Sequence, residues 1–186
     1  DPVQSGLIGS LARPGGNMTG VLVLTQDLAG KRLDLLKEVL PGMGRIAVLS
    51  NPDSRATVAG MPATKTAASS LGLEVHSFEV RTTEELDAAF VAMAGVRTDA
   101  LVLVPATMLA NHRAQIVALA MRHRLPAIYW QKEFVQAGGL MSYGTDASAV
   151  YRRAATYVDH ILKGTSPADL PVEQASTFAL TINLRT

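Results

Sequence analysis

From Arg45 onward the chain alternates short apolar runs with longer amphipathic ones, and few architectures accept that order. The run Ile46-Ala47-Val48-Leu49 ends at the turn cluster Ser50-Asn51-Pro52-Asp53, which also supplies residues suited to cap a helix. A helix is expected from there to about Ser70, closed by Gly72, with Pro62 kinking it. Leu73 to Val80 reads as a strand, and Thr82 with Glu85 as a capping box for a helix whose Leu86, Ala89, Phe90 and Met93 share one face. Ala100 to Val104 is a buried strand stopped by Pro105, and one helix is expected from about Leu109 to Arg124 with Ile116, Leu119 and Ala120 inward. A strand Pro126–Trp130, a short helix around Phe134 and a strand Gly139–Tyr143 follow. A long helix from about Ala147 to Lys163 carries the stripe Val150, Ala154, Tyr157, Val158 and Ile161, with Gly164 as its C-cap. Strand and helix alternating over short connections predict an α/β fold: a parallel, doubly wound sheet with helices on both faces and right-handed crossovers. Residues 1–30 and the loop-like stretch Ser166 to Gln174 leave this pattern and read as connections out of the sheet, before Phe178 to Leu184 returns as a final strand.

Composition narrows the function classes. The 186 residues suffice for one large domain or part of a two-domain protein. A hydrophobic fraction of 48% suits strands covered on both faces. The 17 basic and 16 acidic residues leave a net charge of +1 without blocks of like sign, so no nucleic-acid partner is expected. No apolar stretch reaches the ~18 residues of a membrane span. With no cysteine, disulfide scaffolds, thiol catalysis and Cys-type zinc sites are excluded. His76, His112, His123 and His160 are dispersed, and no nucleophile elbow, Walker loop or dinucleotide fingerprint appears, so the expectation is a non-enzyme without cofactor or metal. No signal peptide is visible, and the abrupt Asp1-Pro2-Val3 and Arg185-Thr186 ends suggest a fragment.

In an open parallel sheet, ligands bind beyond the carboxyl ends of the strands. Four stretches belong there: Ser50 to Ser54, Pro105-Ala106-Thr107, Tyr129-Trp130-Gln131, and Tyr143-Gly144-Thr145-Asp146. Together they offer hydroxyls, amides, aromatic faces and helix N-termini, which suit a small zwitterion: hydroxyls and helix N-termini for a carboxylate, Asp146 or Asp53 for an ammonium. Each stretch alone has a plainer explanation. Asn51 to Ser54 would serve as a turn and cap, Tyr143 to Asp146 as a strand end and cap, and Tyr129 and Trp130 as core aromatics.

The motif Ser10-Leu11-Ala12-Arg13-Pro14-Gly15-Gly16-Asn17-Met18-Thr19-Gly20 resembles the ABC transporter substrate-binding proteins related to tryptophan/tyrosine-type receptors, which have the type I periplasmic binding protein fold. So do Val48 to Asp53, His123 to Tyr129 and, most specifically, Phe134-Val135-Gln136-Ala137-Gly138-Gly139-Leu140-Met141-Ser142-Tyr143-Gly144. The resemblance spans essentially the whole chain and implies roughly the C-terminal three-fifths of a two-lobed protein. Residues 1–20 would be a first-lobe remnant and crossover, 21–141 the second lobe, 142–165 a crossover and first-lobe helix, and 166–186 a return crossover and final strand. It further implies a receptor for a small solute, an amino acid with aromatic and branched-chain ones as candidates, delivered to an ABC permease from a periplasmic or extracytoplasmic location. Asn51, Ser54, Thr107, Tyr143 and Asp146 would contact the solute, with Asn17, Thr19, Gly20, Gly144 and Val172 at the hinges. Binding by the fragment alone is expected to be weak, because half a cleft lacks the burial that closure provides. The alternatives are the effector domain of a LacI-like transcription regulator, which shares the fold, and an enzyme on a flavodoxin-like sheet, for which no phosphate loop or nucleophile is visible.

Overall fold

The computed structural model of the chain describes residues 2–3, 5–23 and 28–186. Of the apolar run expected at 21–24, residue 24 lies outside these. The chain divides into two compact units, one of Asp1–Leu24 and Thr145–Phe178, the other of Thr25–Gly144 and Ala179–Thr186.

The larger unit is built on six strands: β2 (Arg45–Ser50), β3 (Glu74–Glu79), β4 (Ala100–Leu103), β5 (Ala127–Tyr129), β6 (Met141–Thr145) and β8 (Phe178–Ile182), in the order β3-β2-β4-β5-β6-β8. The pairs β2–β3, β2–β4, β4–β5 and β5–β6 are parallel. Period-two alternation sorts their side chains into two buried layers. Ala47, Leu49, Leu101, Leu103, Ala127 and Tyr129 face one layer. It is closed by α3 (Glu85–Gly95), α4 (Thr107–Asn111), α5 (Arg113–Arg122) and α6 (Lys132–Gln136) through Leu86, Phe90, Leu109, Ile116 and Phe134. Ile46, Val48, Ala100, Val102 and Ile128 face the other, under α1 (Ala29–Val39) and α2 (Arg55–Ser70) through Leu33, Leu36 and Ala68. This is the doubly covered, mostly parallel sheet that the continuous apolar runs require.

Four of the helices of this unit stop by a common device. After α2, α3, α5 and α6 the chain turns left-handed at Gly72 (φ 67°), Arg97 (54°), Arg124 (51°) and Gly138 (106°), and two reverse hydrogen bonds close each end, such as Gly72 N to Ser69 O and Leu73 N to Ala68 O. Two glycines carry this turn without strain; two arginines carry it where no glycine announces it.

Two local expectations are corrected. The helix expected over Leu109–Arg124 is two helices, α4 and α5, broken at His112 (φ −105°, ψ 23°), whose Nδ1 lies 2.9 Å from Met108 O. Helix α2 runs on through Pro62: it and Val58, whose carbonyl loses its donor, are both exposed, so water can replace the missing bond. Of the capping box only the return half forms, with Glu85 Oε2 accepting from Arg81 N at 2.6 Å and Thr82 N at 3.4 Å.

In the smaller unit, β1 (Val21–Leu22) pairs in parallel with β7 (Glu173–Gln174). Helix α7 (Ala147–Leu162) is tied to β7 by Arg153, which donates through its Nε to Glu173 Oε2 at 2.7 Å, and Tyr157 Oη donates to Pro171 O at 2.6 Å. Tyr157 is the only buried residue of α7; Val158 and Ile161 of the expected stripe are exposed and Val150 and Ala154 half-buried, because its own unit supplies one short two-stranded ribbon to cover it.

Candidate functional site

The strand order reverses at β2: β3 lies on one side of it, β4 on the other. Connections leaving the carboxyl ends of β2 and β4 must diverge there, and a crevice opens between them. It is a cleft of about 500 Å³ lined by Asn51, Asp53, Ser54, Arg55, Ala56, Ala106, Thr107 and Met108. Three of the five expected solute contacts, Asn51, Ser54 and Thr107, therefore share one wall.

Each is placed by local chemistry. Asn51 is buried at the strand end, and its Oδ1 accepts from Asp53 N at 2.8 Å, forming an Asx turn. That bond uses the carbonyl edge and leaves the amide edge for a ligand. Ser54 stands at the cap position of α2, yet its hydroxyl makes no capping bond; its backbone N instead donates to Asn51 O at 3.1 Å. Ala106, at the cap position of α4, has no side chain able to cap, and the exposed Thr107 follows it. Two helices thus start at the cleft without side-chain caps, their first-turn N–H groups lacking an acceptor side chain. The arrangement favours a carboxylate or similar anion. Asp53 adds the opposite charge at the rim, 3.7 Å from Arg81 Nε, both side chains being more than half exposed.

Tyr143 and Asp146 are not part of this cleft. The Tyr143 ring packs against the layer beneath α1 and α2. Asp146 falls in the smaller unit, where its Oδ1 accepts from Ser148 N at 2.9 Å and caps α7. Tyr129 and Trp130 are core residues, Tyr129 stacked on Phe134 at 4.5 Å and 9° and its phenol pushed far up by burial. The residues expected at hinges split as well. Thr19 Oγ1 donates to Leu170 O at 2.7 Å, Glu173 N to Gly20 O at 3.1 Å and Val172 N to Leu11 O at 2.7 Å, so Thr19, Gly20 and Val172 belong to one bonded ribbon. Asn17 is exposed in the turn before it. Gly144 lies in the larger unit, its Cα against the Trp130 carbonyl. Sequence reasoning missed Arg55, Ala56 and Met108 as lining; their positions at the starts of α2 and α4 were the available signal. Among the described residues no three His, Cys, Asp or Glu side chains gather as a metal site, and no helix is long and apolar enough to cross a membrane.

Comparison with known proteins agrees with this fold. The family profile described as ABC transporter substrate binding protein matches residues 1–186. The tyrosine-binding protein of Clostridioides difficile is 26% identical over 98% of this chain and 52% of its own length, so the chain spans about half of that relative. Among solved structures, the ABC domain of Streptococcus pneumoniae in complex with L-Trp is 26% identical with a TM-score of 0.83, covering 100% of this chain and 62% of that one. A conserved domain protein of Vibrio cholerae is 27% identical with a TM-score of 0.86, at 100% and 62% coverage. A LacI family transcriptional regulator of Bifidobacterium animalis, 16% identical with a TM-score of 0.67 over 88% of this chain and 62% of that one, shares the fold alone.

Proposed function

The chain belongs to the ABC transporter substrate binding protein family, and from that premise we propose that it is part of an amino-acid receptor that delivers an aromatic solute to an ABC permease from outside the cytoplasmic membrane. It acts by binding, not by catalysis. The carrying observation is the cleft at the β2–β4 reversal, where Asn51, Ser54 and Thr107 stand beside two helix starts without side-chain caps. In this reading the helix N–H groups and the Thr107 hydroxyl take the carboxylate, and Asp53 at the rim takes the ammonium. The relatives named for tyrosine and L-Trp support an aromatic side chain as the remainder of the ligand. Residues 1–20 and 142–165 act as parts of the first lobe and its crossovers and 166–186 as a return crossover and final strand, with Asn17, Thr19, Gly20, Gly144 and Val172 in the segments that bend on closure.

The test is a thermal-shift screen of the full-length protein against the common amino acids, nucleosides and sugars, followed by calorimetry on each hit. A rise in Tm with tyrosine or tryptophan, diminished by Thr107→Ala and Asn51→Ala, is the expected result. A shift with sugars or nucleotides alone would overturn the amino-acid reading.

A further inference from the structure

Two hydroxyls beneath the first turn of α2 are buried without a hydrogen bond. Ser50 ends β2 at 1% exposure and Thr57 lies in α2 at 6%; neither Ser50 Oγ nor Thr57 Oγ1 has a partner. Strand parity puts Ser50 on the α2 face of the sheet, since Ile46 and Val48 occupy that layer and Ala47 and Leu49 the other. Thr57 begins the buried stripe Thr57, Gly60, Thr64, Ala68. One turn on, a Cβ on Gly60 would stand 3.1 Å from Val104 Cγ1, so the start of α2 is held close over the end of β4. Helical side chains tilt towards the N-terminus, so Thr57 leans towards the cleft end of its helix.

Two ordinary ways to satisfy such a hydroxyl are not taken at Thr57. A buried threonine further along the stripe, Thr64, donates to Gly60 O four residues back at 2.8 Å. The residue four back from Thr57 is Asp53, outside the helix. The usual partner of a polar side chain at Thr57's position is the cap residue's N–H, which Ser54 already gives to Asn51 O. Orphaned buried hydroxyls are uncommon and unfavourable, and each calls for an acceptor.

We propose that Ser50 and Thr57, next in the chain to the lining residues Asn51 and Ala56 and buried behind them, complete the cleft's anion site, their hydroxyls donating to the carboxylate of the bound amino acid and so selecting acids over the corresponding amines. The first turn of α2, which has no side-chain cap, moves slightly to admit it. This rests on the amino-acid reading above. The experiment uses the full-length protein with L-tyrosine and L-tryptophan against tyramine and tryptamine. Thr57→Val, which keeps the shape and removes the hydroxyl, is expected to leave the ligand-free Tm unchanged or raise it. It should also weaken amino-acid binding by about 10- to 100-fold and reduce the preference for acid over amine; Thr57→Ser should restore both. Ser50→Ala should act in the same direction. A ligand-free Tm that falls in Thr57→Val while affinity is unchanged, or equal losses for acids and amines, would overturn the inference. A wild-type protein that binds none of the four compounds would overturn the reading beneath it instead.

Discussion

Gly144 offers two explanations for one residue, and a single substitution separates them. As a hinge it would be glycine for backbone freedom, but its φ is not in the left-handed region that glycine alone favours. The structure gives a steric reason: a Cβ at 144 would overlap the Trp130 carbonyl oxygen and stand 3.0 Å from its carbon. Trp130 is buried at the end of β5, and its backbone cannot swing aside as a long side chain could. Relief requires the chain to part just beyond the last parallel pair of β5 and β6, Tyr129 with Ser142. Overpacking of a core typically costs about 1–3 kcal/mol, and a backbone obstacle puts Gly144→Ala at about 3 kcal/mol. At about 2–4 °C per kcal/mol for a chain of this size, Tm should fall by about 6–12 °C. Thermal melting followed by circular dichroism measures it. Gly95→Ala is the control, because Gly95 ends α3 with ordinary φ and open space around its Cβ position; a gain of about 0.4–1 kcal/mol is expected there. A Gly144→Ala protein that melts with the wild type but binds solute differently would refute the packing argument and return Gly144 to the hinge.

Two further outcomes follow from the charged groups. The Asp99 carboxyl accepts from Arg45 N at 2.7 Å and Gly44 N at 2.8 Å, and these bonds hold its pKa below the ordinary aspartate value. A lowered folded pKa stabilises fully above the unfolded value near ~4 and is lost as pH falls through the folded one; urea titrations of wild type and Asp99→Ala should therefore converge in acid and diverge at neutral pH. Asp146 caps α7, so Asp146→Ala should cost about 1 kcal/mol in urea denaturation. Asp146→Asn should keep the cap while removing the charge, so a loss of solute affinity in Asp146→Asn alone would assign it a ligand role.

Much of the fold is local information, and the sequence carried it. Ile46 to Leu49 and Ala100 to Val104 are apolar at every position because both faces are covered, and Gly72 and Gly164 mark helix ends because a left-handed turn favours glycine. The ends at Arg97 and Arg124 had no such mark, since there the strain is borne by residues that look like ordinary surface charges. The stripe on α7 was legible as amphipathic, but periodicity says which residues share a face and not whether anything covers it. The cleft shows the same division. That Asn51, Ser54 and Thr107 follow strand ends is written in the turn residues after β2 and β4. That these two ends are neighbours, with β3 on the far side, depends on strand order, which long-range pairing fixes and no local pattern encodes. The unpartnered hydroxyls of Ser50 and Thr57 lie wholly in that second class: each looks like an ordinary small polar residue until α2 packs over β2 and β4 and buries it.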